Sequence, residues 1–175
     1  MIKPTPERIT GEGFFLRRWK IEDAAWYVAA RDEEIFLWTT EKRDLTIPET
    51  KEAIRKINSS SDELCFAIID QPTQSLLGNI ALKFEEANPK TAEIMYWLAP
   101  SGRGRGIATM AVTLVCNWAF QSMGLDRITL KTKHGNIRSQ QVAERAGFRL
   151  LPDNPERESN ADYLFFELYC GYSAG

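Results

Sequence analysis

The sequence predicts one mixed α/β (α+β) domain, and three observations carry that reading. The chain of 175 residues is 43% hydrophobic, which gives a single domain room for a sizeable core. Strand-like and helical patterns follow one another without internal repeats or a low-complexity linker. In the second half, helical patterns sit between strands, which requires at least one strand–helix–strand crossover.

After a polar, proline-containing start, residues 13–19 (GFFLRRW) read as a first strand. Residues 21–31 (IEDAAWYVAAR) have acidic groups in the first turn and helical apolar spacing, and 32–38 (DEEIFLW) form a second short helix. Pro48 stands at a first-turn position and opens a helix to about Ile57. Residues 64–69 and 76–84 are strands joined by the turn residues DQPTQ, and 91–98 (TAEIMYWL) form the fourth strand. Then the period changes. Ile107, Met110, Ala111, Leu114, Val115, Trp118 and Ala119 follow helical spacing, and Gly124 closes the pattern. Residues 127–131 are the fifth strand, 137–146 a helix ended by Gly147, and 148–151 and 163–169 the last two strands.

Composition excludes some partners. A net charge of −2 argues against a general nucleic-acid or anionic-membrane binder. Cys65, Cys116 and Cys170 are widely spaced and odd in number, so they read as reduced thiols rather than a disulfide frame or a metal site. The start of the chain has no apolar leader pattern, and no run approaches a membrane span. The expectation is a soluble cytoplasmic domain over residues 1–175 with no metal.

The stretch SGRGRGIATMA, from Ser101 to Ala111, lies between the fourth strand and the long helix. Backbone N–H groups in the first helical turn lack internal partners, and the macrodipole makes that end electropositive. Glycines let a backbone approach an anion closely. The parts suit a pyrophosphate, although a plain strand–helix turn has the same glycines. The dinucleotide pattern G-x-G-x-x-G fails at Thr109, and a Walker A loop is absent. An arginine–glycine tract of the disordered kind has more repeats than this.

Arg103-Gly104-Arg105-Gly106-Ile107-Ala108 matches the Q/R-x-x-G-x-G/A acyl-CoA signature of the GNAT N-acetyltransferases. The wider text resembles the RimJ/RimL-type branch, in AEIMYWLAPSGRGRGIATMAV, in NIRSQQVAERAGFRL and in the opening FFLRRWKIEDAAWYVAA. The resemblance covers nearly the whole chain. It implies a mostly antiparallel sheet of six to seven strands, splayed between strands 4 and 5, with helices on both faces. It implies acetyl-CoA as cosubstrate, with pantetheine along the free edge at Tyr96, Trp97 and Leu98. The pyrophosphate would lie on the amides of Arg103, Gly104, Arg105, Gly106, Ile107, Ala108 and Thr109. Asn136 and Ser139 fall near the lower pantetheine and sulfur, though Asn136 is also a good N-cap. The branch includes monomers and homodimers, acting on protein N-termini or small amines.

Acyl transfer needs a neutral amine and a proton for the leaving thiolate. An α-amine, with a pKa of about 8, is about a tenth neutral at pH 7, whereas deprotonating a lysine amine costs roughly 4.6 kcal/mol. Glu93 is the candidate base, and a solvated or structural glutamate is the equal alternative. Ser139 is the candidate donor to sulfur. His134, the single histidine, reads as a solvated loop residue, and Cys65 and Cys116 as small buried hydrophobes. For the acceptor site the resemblance implies residues 36–40 and the loop 152–160 (PDNPERESN). Trp38, Glu33, Glu34 and Glu41 form either an acidic aromatic mouth or an ordinary surface. The leading reading is direct transfer from acetyl-CoA to a primary amine in a ternary complex. The alternatives are an acyl-CoA-binding regulatory or interaction module without turnover, and a transferase for a larger acyl group.

Overall fold

Alternating apolar residues place one sheet between two helical layers. The structure, a computed structural model, describes residues 6–152 and 162–171. Among them eight strands run in the order β1-β2-β3-β4-β5-β6-β8-β7. They are β1 (Arg8–Thr10), β2 (Phe14–Arg18), β3 (Glu63–Asp70), β4 (Leu76–Phe84), β5 (Thr91–Leu98), β6 (Arg127–Lys133), β7 (Arg149–Leu151) and β8 (Tyr163–Tyr169). The helices are α1 (Ala24–Ala30), α2 (Glu33–Trp38), α3 (Ile47–Ser59), α4 (Ile107–Met123) and α5 (Ile137–Arg145). Eight strands correct the expected six to seven. The extra one is β1, whose three residues pair antiparallel with β2 across the turn at Gly11–Gly13. A strand that short carries too little alternation to be read from sequence. The expected strands 4 and 5 are thus β5 and β6.

On one face, Leu16, Phe66, Ile80, Leu82, Ile94 and Ile128 meet Ile107, Ala111, Val112, Val115 and Ala119 of α4. On the other, Phe15, Trp19, Ala67 and Ile69 meet Ala24 of α1 and Ile54 of α3, while Ile35 of α2 packs with Trp97 and Ala99. All neighbouring strands are antiparallel except β5 and β6, which run parallel and are joined by α4. The helix predicted over 21–31 is a 3-10 turn (Ile21–Asp23) followed by α1. Asp23 explains the turn: its carboxylate accepts from the Lys20 amide at 2.8 Å and from Arg17 at 2.7 and 3.0 Å.

Candidate active site

The parallel pair is where the sheet opens. β5 is paired with β4 from Ala92 to Leu98, but with β6 only from Thr91 to Ile94, opposite Arg127 to Leu130. Beyond Ile94 the two parallel strands have no ladder between them, so the edge from Met95 to Leu98 is about 13 Å of backbone turned toward a gap. Gly78 of β4 helps to set this course. A Cβ there would collide with the Trp97 carbonyl, so only glycine lets the end of β5 lie so close to β4. Tyr96, Trp97 and Leu98 therefore share the free edge. On the β6 side of the gap, Thr132 buries its hydroxyl with no hydrogen-bond partner among the described residues.

The glycine–arginine loop stands at the open end. Gly104 and Gly106 have φ of 74° and 71°, the left-handed region that side chains avoid, and nothing lies within 4 Å of where their Cβ atoms would be. Gly106 is the N-cap of α4, so it has no side chain to cap the helix, and the first turn holds no acidic residue. The amides of Ile107, Ala108 and Thr109 are therefore first-turn donors without intrahelical acceptors. The arginine side chains face elsewhere. Arg103 makes a two-pronged pair with Asp32 at 2.7 and 2.8 Å and reaches Glu34 at 3.0 Å. Arg105 meets the buried Asp70 carboxylate at the end of β3, at 2.5 Å. Arg103 holds the Asp32 carboxyl below its usual range, and Thr73 and Arg105 do the same for Asp70. Both guanidinium groups anchor the loop from either side, and Gly104 and Gly106 are exposed. Such a cradle fits a diphosphate.

Across the gap, the Tyr96 hydroxyl donates to Ser139 Oγ at 3.1 Å, joining the β5 lip to the start of α5. Burial pushes the Tyr96 phenol up to about 12, with the Ser139 hydrogen bond pulling the other way, so it keeps its proton at neutral pH. Asn136 is the N-cap of α5, and its side chain accepts from the Ser139 amide at 3.2 Å. It thereby orients the residue it was grouped with.

Glu93 lies on the opposite face of β5 with Met95 and Trp97, on the α1–α3 side and just before the gap begins. It is partly exposed, and Lys131 Nζ of β6 is 3.9 Å from its carboxylate. Lys131 also sits over the Tyr163 ring, 5.1 Å from its centroid. The acidic groups considered for a mouth are each engaged. Glu33 pairs with Arg43, Glu34 with Arg103 and Arg138, and Glu41 with Arg31. Glu41 also accepts from Tyr27 at 2.7 Å and Trp97 at 3.2 Å, which fixes the segment after α2 onto β5. Trp38 packs toward Gly135, where a Cβ would meet its ring at 3.2 Å. His134 is exposed and lies in the β6–α5 turn, its amide bonded to the Asp162 carbonyl. Cys65 and Cys116 are largely buried, and burial pushes both thiols up. The loop 152–160 lies, apart from Pro152, outside the described residues.

The Tyr96 phenol, expected to matter only through its backbone, and the carboxylates Asp32 and Asp70 behind the two arginines have no signal in the sequence that marks them as site groups. Nothing local signals partners 71 and 35 residues away. An acidic N-cap before a short helix was the one visible hint at Asp32.

Comparisons with known proteins show the family and the fold. Residues 14–149 match the acetyltransferase (GNAT) domain. The ribosomal-protein-serine acetyltransferase of Escherichia coli (strain K12) is 41% identical over 75 residues, 43% of this chain and 42% of that one. Matches to two Bacillus subtilis relatives likewise span only 55% and 60% of their lengths. In fold, a RimL described as a ribosomal L7/L12 alpha-N-protein acetyltransferase superposes with a TM-score of 0.78 at 19% identity, covering 94% of each chain. A spermidine N-acetyltransferase from Vibrio cholerae, solved with CoA and spermine, gives 0.77 at 18% identity, covering 90% of this chain and 95% of that one. With a domain match over most of its length, an opened parallel pair and a glycine cradle at its mouth, the chain belongs to the acetyltransferase (GNAT) domain family.

Proposed function

We propose that this protein moves an acetyl group from acetyl-CoA to an α-amine, such as a peptide N-terminus, by direct attack. The observation that carries the reading is the juxtaposition of the open α4 start with the split between β5 and β6. The amides from Arg103 to Thr109 would hold the diphosphate, and the edge at Tyr96, Trp97 and Leu98 the pantetheine amides. When bound, acetyl-CoA supplies an acyl group activated as a thioester. Asn136 keeps its capping role by accepting from the Ser139 amide, and the Ser139 hydroxyl, bonded to Tyr96, would lie at the lower end of the gap.

The faces of β5 divide the proton work. Glu93, on the α1–α3 side, accepts a proton from the incoming amine as its nitrogen bonds to the acyl carbon. Ser139, on the other side, gives its hydroxyl proton to sulfur as the C–S bond breaks, and Tyr96, hydrogen-bonded to it, replaces that proton; solvent then reprotonates the phenolate and takes up the proton held by Glu93. An α-amine suits a base of modest strength, because about a tenth is already neutral at pH 7. A polyamine suits the site less: the carboxylates at Glu33, Glu34 and Glu41 are already paired, and Lys131 shares the face with Glu93. The name of the Escherichia coli relative points the same way.

The test is thiol release from acetyl-CoA with peptides carrying N-terminal serine or alanine, the same peptides blocked at the α-amine, and spermidine. Release with free peptides alone is expected. CoA binding with no release on any amine would favour a binding module, and release with spermidine alone would reassign the acceptor. Glu93→Gln should flatten the acidic limb of the pH–rate profile; an unchanged profile removes Glu93 as base.

A further inference from the structure

The carboxylate of Glu34 touches both sides of the split. Its Oε2 lies 3.0 Å from Arg103 NH1, on the loop that follows β5. Its Oε1 lies 2.9 Å from Arg138 NH1, in the first turn of α5 beyond β6. The rest of α2 repeats this bridging. Asp32, its N-cap, holds Arg103, and Ile35 packs on Trp97 and Ala99 at the β5 side. On the β6 side, Lys133 Nζ donates to the Leu37 carbonyl at 2.7 Å, and Trp38 lies against Gly135. A helix of six residues is thus tied at one end to the cofactor loop and at the other to the β6–α5 turn.

We propose that Glu34 is a positioning residue: through Arg103 and Arg138 it straps α2 across the open end of the cleft and sets the spacing of its two lips. The inference rests on the acetyl-CoA reading. Exposed ion pairs contribute little singly, but here two share one carboxylate, and their effect is to hold two walls in place before the ligand arrives. Charge alone makes the opposite prediction. CoA is an anion, so removing a nearby carboxylate should tighten binding and removing a nearby arginine should weaken it.

Calorimetric titration with CoA of the wild type, Glu34→Ala, Arg138→Ala and the double variant separates the two. The strap predicts that each single change weakens binding about three- to fivefold, and that the double variant binds no more weakly than the weaker single. Thermal midpoints should stay within about 2 °C, since Glu34 and Arg138 are exposed enough for their loss to leave the core intact. Glu34→Ala binding as tightly as the wild type, or more tightly, overturns the proposal. So do losses that simply multiply in the double variant, because the two residues then act independently. If the wild type does not bind CoA, the acetyl-CoA reading fails and this proposal with it; if only the variants are unaltered, the strap alone fails.

Discussion

Two helices in this molecule begin in opposite ways. α3 starts closed: Thr46 accepts from the Glu49 amide at 3.4 Å, Glu49 accepts from the Thr46 amide at 2.8 Å, and Pro48 removes a further donor. α4 starts open, on a left-handed glycine with no acid in its first turn. The closed start lies on the surface, where Glu49 also comes within 3.7 Å of Lys42. The open one faces the mouth of the β5–β6 split, between two arginines whose charges are already spent on Asp32 and Asp70. On the proposed reading, the missing cap leaves first-turn donors for a ligand's anion, while the arginines, paired with Asp32 and Asp70, shape the loop.

The largest expected effect comes from giving α4 the kind of start α3 has. In Gly106→Asp, a residue that tolerates the left-handed region brings its own carboxylate to the first-turn amides. CoA affinity should fall about 100-fold or more, through repulsion and loss of donors, with the fold retained by circular dichroism. Next comes the chemistry beyond the cradle. Ser139→Ala should lower kcat about 100-fold with CoA affinity changed less than threefold, and Tyr96→Phe should lower kcat by less. Equal losses in kcat and affinity would place Ser139 in binding. On the closed helix, Thr46→Ala should cost about 1 kcal/mol in denaturant unfolding and leave the CoA titration unchanged.

The smallest effect is in acid. Arg103 depresses the Asp32 carboxyl below its ordinary value of 3.8. The unfolded state then binds the proton more readily, so the contribution of Asp32 is present above that value and is lost as pH falls through the depressed one. The stability difference between wild type and Asp32→Asn should be constant from pH 7 down to about 5 and shrink below pH 4.

Much of this contrast was legible in the residues. The glycines at 104, 106 and 124 mark the ends of α4, and Asn136 marks the start of α5, because backbone conformation and capping are local demands. The strands from β3 to β6 were found within two residues of their ends for the same reason. Side-chain partners were not legible. No spacing in the sequence pairs the Arg103 guanidinium with Asp32, or joins the phenol of Tyr96, expected only as an edge residue, to Ser139 across the gap. Those contacts depend on how the layers stack, which no spacing along one element reports. The acidic mouth failed to form as a free negative patch because each carboxylate found an arginine.

Following amide resonances while CoA is added decides whether backbone amides at the start of α4 hold the cofactor's diphosphate. The amides of Gly104 to Thr109 should move furthest, those of Tyr96 to Leu98 should follow, and those of Thr46, Ile47 and Glu49 should stay still. Shifts confined to other surfaces, with the amides from Gly104 to Thr109 unmoved at saturation, would contradict that role.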